Sequence, residues 1–162
     1  MLQEHSTKDI GMLGPAVIHV LKSKWYVEHV DALVARFLGV MEAAGCISIP
    51  VHELSGCLEM PLASQDLFEM ERGRLEAVVC FGILMKGETA HFEMVLNTMT
   101  AAFAQFTMMA KVPVINAIIP ASRMEHVAER SGDNELNKGV EAALATVETI
   151  RWRRAIHARA LP

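Results

Sequence analysis

Four short apolar runs rich in β-branched residues, each followed by a stretch of helical periodicity, constrain this chain more than any other feature. They are 16–21 (Ala-Val-Ile-His-Val-Leu), 46–51 (Cys-Ile-Ser-Ile-Pro-Val), 75–82 (Leu-Glu-Ala-Val-Val-Cys-Phe-Gly) and 112–119 (Val-Pro-Val-Ile-Asn-Ala-Ile-Ile). Runs without polar alternation suit strands covered on both faces, as in a parallel sheet. Parallel strands cannot be joined by a tight turn, so each pair needs a crossover, and the intervening segments supply it. Between the first two runs, Val27, Val30, Leu33, Val34, Phe37, Leu38 and Met41 make one apolar stripe, and Gly45 stands where a helix C-terminal cap belongs. Helices are also predicted over 61–70, 89–110, 124–130 and about 138–156, with a polar loop at 132–137. The pattern predicts an α/β fold of three layers, a four-stranded parallel sheet with helices on both faces.

A chain of 162 residues encloses one core, read as an N-terminal arm (1–14) followed by a single domain (15–162). Apolar residues make up 52% and charged ones 21%, which excludes a disordered chain. The net charge of −4 excludes a general nucleic-acid binder, which needs a basic footprint. No apolar run reaches the length of a membrane span, and the first nine residues lack the apolar stretch of a signal peptide. Three cysteines in apolar settings read as reduced thiols of a cytoplasmic protein. A mean hydropathy of +0.27 with eleven methionines points to apolar surface buried between subunits.

In an open parallel sheet the active groups gather at the carboxyl ends of the strands. The loop 86–91 (Lys-Gly-Glu-Thr-Ala-His) carries the strongest local signal. Gly87 permits close backbone approach to a ligand, the following helix start offers free N–H groups to an anion, and His91 can move protons near neutral pH. The same residues also describe a capped helix with an exposed histidine on its first turn. Glu59 could accept hydrogen bonds from sugar hydroxyls or act as an acid at a helix start. Trp25 could stack on a heterocycle or pack in a core or interface. Arg130 and Lys138 flank a polar loop and could hold a phosphate or be solvated helix ends. His29, His52, His126 and the cysteines show no ligand spacing, so no metal is expected. Neither a dinucleotide fingerprint nor a Walker lysine motif is present.

Three segments, in order and at the right spacing, resemble the 6,7-dimethyl-8-ribityllumazine synthase family of riboflavin biosynthesis. The first is 56–61 (Gly-Cys-Leu-Glu-Met-Pro), similar to the family's Gly-Ala-Phe-Glu-Ile-Pro. The second is 82–93 (Gly-Ile-Leu-Met-Lys-Gly-Glu-Thr-Ala-His-Phe-Glu), similar to Gly-x-x-x-[Lys/Arg]-Gly-x-Thr-x-His-[Phe/Tyr]-[Asp/Glu]. The third is 129–132 (Glu-Arg-Ser-Gly) with 137–139 (Asn-Lys-Gly) and 141–143 (Glu-Ala-Ala). The resemblance spans about 16–156. It implies a flavodoxin-like fold and a transferase without metal or organic cofactor. The implied substrates are 5-amino-6-(D-ribitylamino)uracil and 3,4-dihydroxy-2-butanone 4-phosphate.

Carried over residue by residue, the resemblance puts Trp25 on the pyrimidine ring and Cys57, Leu58 and Glu59 along the ribityl chain. It gives the backbone of Ile83, Leu84 and Met85 to the pyrimidine edge. The backbone N–H groups of Glu88 and Thr89, with Arg130, would hold the phosphate, beside Lys138. His91 would transfer protons. The resemblance also implies a homo-oligomer, a pentamer or dimer of pentamers, whose sites lie between neighbours. Asn116 and the Trp25 side are then expected from one subunit, His91 and Arg130 from the next. Leu136 replaces the glycine usual in shell formers, which leaves the icosahedral shell open. The sequence departs from the family at Asn116, where an aromatic is usual, and at Leu58, Tyr26 and 120–122 (Pro-Ala-Ser). These departures keep a second reading open, a paralogue that binds a ribityl-flavin or lumazine with weak or no catalysis. A third is a structural ring or shell protein.

Overall fold

The computed structural model describes residues 10–160, so residues 1–9 of the expected arm lie outside it. The elements run β1 (Ile18–Ser23), α1 (Val27–Ala43), β2 (Val51–Leu54), α2 (Met60–Glu71), β3 (Ala77–Met85), α3 (His91–Ala110), β4 (Val114–Ala121), α4 (Met124–Ser131) and α5 (Lys138–Arg159). All strand pairs are parallel, in the order β2-β1-β3-β4. This is the expected three-layer α/β fold.

Strand parity divides the core into two layers. Ile18, Val20, Val79, Phe81 and Ile119 pack with Leu33, Phe37 and Val147 of α1 and α5. Leu21, Val78, Cys80 and Ile118 pack with Met60, Leu67, Met99 and Phe103 of α2 and α3. Gly45 takes φ +84° and donates its N–H to Glu42 O, closing α1 as its position predicts. Ahead of β1, the Leu13 and Gly14 N–H groups reach Ala44 O at 2.8 and 3.1 Å, and Leu13 is buried in the first layer.

Three boundaries differ from the sequence reading, and two of them move site residues. The second strand was expected over 46–51, yet residues 46–50 have no regular structure and β2 begins at Val51. Pro50 has no N–H to give a ladder and offers β1 only its carbonyl, which accepts the Val20 N–H at 2.9 Å, so the strand itself starts after it. The strand is also an edge, with Val51 38% exposed, rather than one covered on both faces. β3 continues three residues past Gly82, so Ile83 to Met85 belong to the strand and not to the loop after it. β4 starts at Val114 and runs to Ala121, tolerating Pro120 because it too is an edge. Asn116 is therefore its third residue, opposite Cys80 and well short of the carboxyl end.

Candidate active site

A cavity of 610 Å³ opens at the carboxyl ends of β1, β2 and β3 and is closed on one side by the first turn of α3. Its volume suits a small organic ligand. β1 delivers Lys24, Trp25 and Tyr26; β2 delivers Ser55 to Glu59; β3 contributes Ile83, Leu84 and Met85 directly; α3 adds His91, Phe92 and Val95. Eight of the thirteen expected site residues thus meet in one cavity: Trp25, Cys57, Leu58, Glu59, Ile83, Leu84, Met85 and His91.

Local structure explains how each is presented. Tyr26 takes a left-handed conformation (φ +56°), and its carbonyl accepts the His29 and Val30 N–H groups, so α1 starts abruptly after β1. That sharp exit leaves Trp25 61% exposed, with Lys24 Nζ 5.8 Å from its ring centroid. An exposed indole beside a cavity can cover a flat ring. Leu58 is also exposed at the rim, whereas Cys57 is buried in the α2–α3 core layer. Burial pushes the Cys57 thiol up to about 11; the Ser23 hydroxyl beside it opposes the rise and the Glu59 carboxylate adds to it. Cys57 is therefore a neutral wall and not a thiolate nucleophile at neutral pH.

The floor depends on a missing side chain. A Cβ on Gly82 would run into Cys57 Sγ and come within 3.1 Å of Ser23 Oγ. Only glycine lets the thiol settle against β3. Glu59 folds back, its Oε2 only 3.0 Å from where a Gly56 Cβ would lie.

His91 is the first residue of α3 and is exposed. The N-cap residue Ala90 has no polar side chain to cap this helix, and the His91 N–H donates only a long hydrogen bond, 3.4 Å, to Thr89 Oγ1. First-turn N–H groups have no intrahelical acceptor, so they remain able to bind an anion. The preceding loop is pinned by the Lys86 N–H on Ala121 O and by a 3.0 Å bridge from Lys86 to Glu93. The hydrogen bond from Lys86 holds the exposed Glu93 carboxyl below its ordinary range.

The other five expected residues do not line the cavity. Glu88 and Thr89 sit in the turn at its edge. Asn116 is exposed on β4, on the sheet face that carries Ile118, and its Oδ1 accepts the Ile118 N–H at 3.1 Å. Arg130 and Lys138 stand at α4 and α5, and both grip Glu141, a partner the sequence reading did not assign to them. Burial raises the Glu141 carboxyl, but hydrogen bonds from Lys138 and Arg130 outweigh it and hold the group below its ordinary range. The i, i+3 spacing of Lys138 and Glu141 was the available signal. One expectation is corrected outright: Trp25 and His91 line the same cavity of one chain, not opposite sides of a subunit boundary. The sharp turn after β1 and the start of α3 both lie at the carboxyl edge of the sheet, which brings them together. Phe92 and Val95 of α3, to which the sequence assigns no site role, line the cavity as well.

Comparison with known proteins agrees with this architecture. A sequence model of 6,7-dimethyl-8-ribityllumazine synthase matches residues 16–154. A 6,7-dimethyl-8-ribityllumazine synthase of Frankia casuarinae is 34% identical over 133 residues, covering 80% of this chain and 81% of its own length. One from Xanthobacter autotrophicus is 32% identical over 151 residues, covering 91% and 90%. Cavity, helix start and sequence match lead to one assignment: the chain belongs to the 6,7-dimethyl-8-ribityllumazine synthase family, transferases of riboflavin biosynthesis.

Proposed function

We propose that this chain condenses 5-amino-6-(D-ribitylamino)uracil with 3,4-dihydroxy-2-butanone 4-phosphate to give 6,7-dimethyl-8-ribityllumazine, releasing phosphate. The observation that carries the reading is the meeting, in one cavity, of a stacking surface, a carboxylate and a histidine at an uncapped helix start. Trp25 would cover the pyrimidine, the polar backbone of Ile83 to Met85 would read its edge, and Cys57, Leu58 and Glu59 would follow the ribityl chain. The phosphate would sit on the turn at Glu88 and Thr89. His91 would move protons as the amine and ketone form an imine and as phosphate leaves. Most of the catalytic effect then comes from holding two reactive molecules in line and stabilising a leaving anion.

Arg130, Lys138 and Asn116 fit the same reaction if a neighbouring copy supplies them across a subunit boundary. Exposed Leu62, Met94, Met108, Met109 and Trp152 support burial between copies. We infer a homo-oligomer, a pentamer or dimer of pentamers, with each cavity finished by the next subunit. The unpaired Cys46, Cys57 and Cys80 support a cytoplasmic setting. The test is direct: purified protein is given both substrates while lumazine fluorescence and free phosphate are followed together. Product no faster than in buffer alone sinks the proposal.

Asn116 decides whether the ring-binding wall is adapted or decayed. With one lone pair of Oδ1 taken by its own strand, the amide offers a neighbour chiefly its Nδ2 donor. In an adapted site that donor meets a polar edge of the heterocycle or a ribityl hydroxyl. Asn116→Phe should then weaken ribityl-lumazine binding by about 1–3 kcal/mol, because a buried partner loses its hydrogen bond. Titration of the ligand against both forms checks this. Tighter binding by the variant would mean that a lost stacking face had been restored.

A further inference from the structure

Outside the cavity, three titratable side chains form one chain of hydrogen bonds through the edge of the sheet. His19 of β1 is buried, with Nε2 3.0 Å from Glu71 Oε1 and Nδ1 2.9 Å from His52 Nε2 of β2. The two imidazoles stack at 5.2 Å between centroids. The second oxygen of Glu71 takes the Arg74 guanidinium at 2.9 Å. Lys22 and Glu53 belong to the opposite face by strand parity and are bridged there to each other, with Lys22 also on Asp31.

What β2 holds is the cavity wall. The strand is only four residues long and pairs on one side alone, so its backbone ladder is short. His52 and Leu54 share a face, and Leu54 packs in the layer containing Cys57 and Met60. Ser55 to Glu59 follow at once. Whatever fixes β2 against β1 therefore fixes the segment that lines the cavity.

Counting hydrogens shows that this hold depends on protonation. With both rings neutral, His19 donates from Nε2 to Glu71 and accepts at Nδ1 from His52. One added proton can sit on His52 Nδ1, and the chain survives. A second puts hydrogens on both facing nitrogens, which then repel as two donors and two like charges. We propose that Glu71, His19 and His52 are a positioning device for the cavity wall at 55–59. It holds β2 in register while the facing nitrogens share one hydrogen and loosens it when both rings are charged. The inference rests on the proposed function only for what that wall binds.

The sign follows from that count, and the lowering of His52 basicity, by burial first and by the neighbouring His19 second, runs the same way. The unfolded or loosened strand binds more protons than the paired one, so the hold is complete above the ordinary histidine range and weakens as pH falls through it. The experiment is amide hydrogen exchange on the full chain, corrected for intrinsic rates. Between about pH 7.5 and about pH 5.5, protection at residues 51–54 should fall about tenfold in the wild type, because the loosened strand takes up a proton that the paired one refuses. His52→Gln keeps an N–H donor for His19 but does not titrate, so its protection should change less than about twofold over the same step. Nitrogen-15 spectra of the wild-type imidazoles should show His19 Nδ1 as an acceptor at the higher pH. Flat protection in the wild type, or an equal loss in His52→Gln, overturns the proposal, as do imidazoles that titrate independently. In turnover, KM for the ribityl substrate should rise with acid, and His52→Gln should flatten that rise while leaving the pH dependence of kcat as in the wild type. A chain that makes no lumazine would fail the proposed function while hydrogen exchange still decides this inference.

Discussion

His91→Ala is expected to slow lumazine formation about 10²–10⁴-fold, the range removed with a positioned proton-transfer group. The fold should not notice. His91 is exposed at the first position of α3, makes no side-chain hydrogen bond among the described residues, and gives way to a residue that favours helix. Phe92 and Val95 on the same turn keep the packing of the cavity side. The loss should therefore fall on kcat with KM little changed, because the histidine acts in the transition state more than in binding. An unfolding free energy from urea titration within about 0.5 kcal/mol of wild type would confirm that stability is untouched. Fluorescence of the product and colorimetric phosphate should fall together. If the variant turns over at the wild-type rate, the proton moves by another route and this role for His91 is wrong.

How much of this was legible in sequence depends on how local each signal is. The order of strands and helices could be read because buried parallel strands and amphipathic helices write different periods into the chain, as at 77–85 and 27–43. The loop before His91 was legible for the same reason, since glycine, threonine and histidine before a helix act through neighbouring backbone. β2 was misplaced because an apolar run interrupted by Pro50 was read as a covered strand, when the proline ends the unpaired stretch. What no local pattern contains is register. Cys57 against Gly82 depends on how a loop after β2 falls across β3, and His19 beside His52 depends on the pairing of β1 with β2. Asn116 shows the same limit from the other side. Its residue type was noticed, but its place opposite Cys80 required the β3–β4 alignment.

Gly139→Ala should be among the most destabilising single substitutions in the chain, although alanine is the better helix former. Gly139 is buried in the first turn of α5, where the Asn137 side chain accepts its N–H at 2.8 Å. A Cβ there would overlap the Leu33 carbonyl of α1 and lie 2.9 Å from Asn137 Oδ1. The obstacle is backbone, so no rotamer change relieves it and α5 must move off α1. Helix propensity favours alanine by about 1 kcal/mol. Overpacking against an immobile neighbour costs about 3 kcal/mol or more, so overlap wins. For a chain of this length a loss of that size lowers Tm by about 6–12 °C. The matched control is Gly39→Ala, within α1, where nothing lies within 4 Å of the added carbon. The same change there should stabilise by about 0.5–1 kcal/mol, because only the backbone term remains. Thermal melts of both variants at equal protomer concentration, needed because assembly adds to apparent stability, read the comparison directly. The retreat of α5 in Gly139→Ala should also disturb Lys138 and Glu141, and with them the grip on Arg130. Turnover measured well below the melting point should thus lose affinity for the phosphate-bearing substrate, whereas Gly39→Ala keeps it. Equal melting temperatures for the two variants would mean that α1 and α5 are not packed as closely as their backbones lie here.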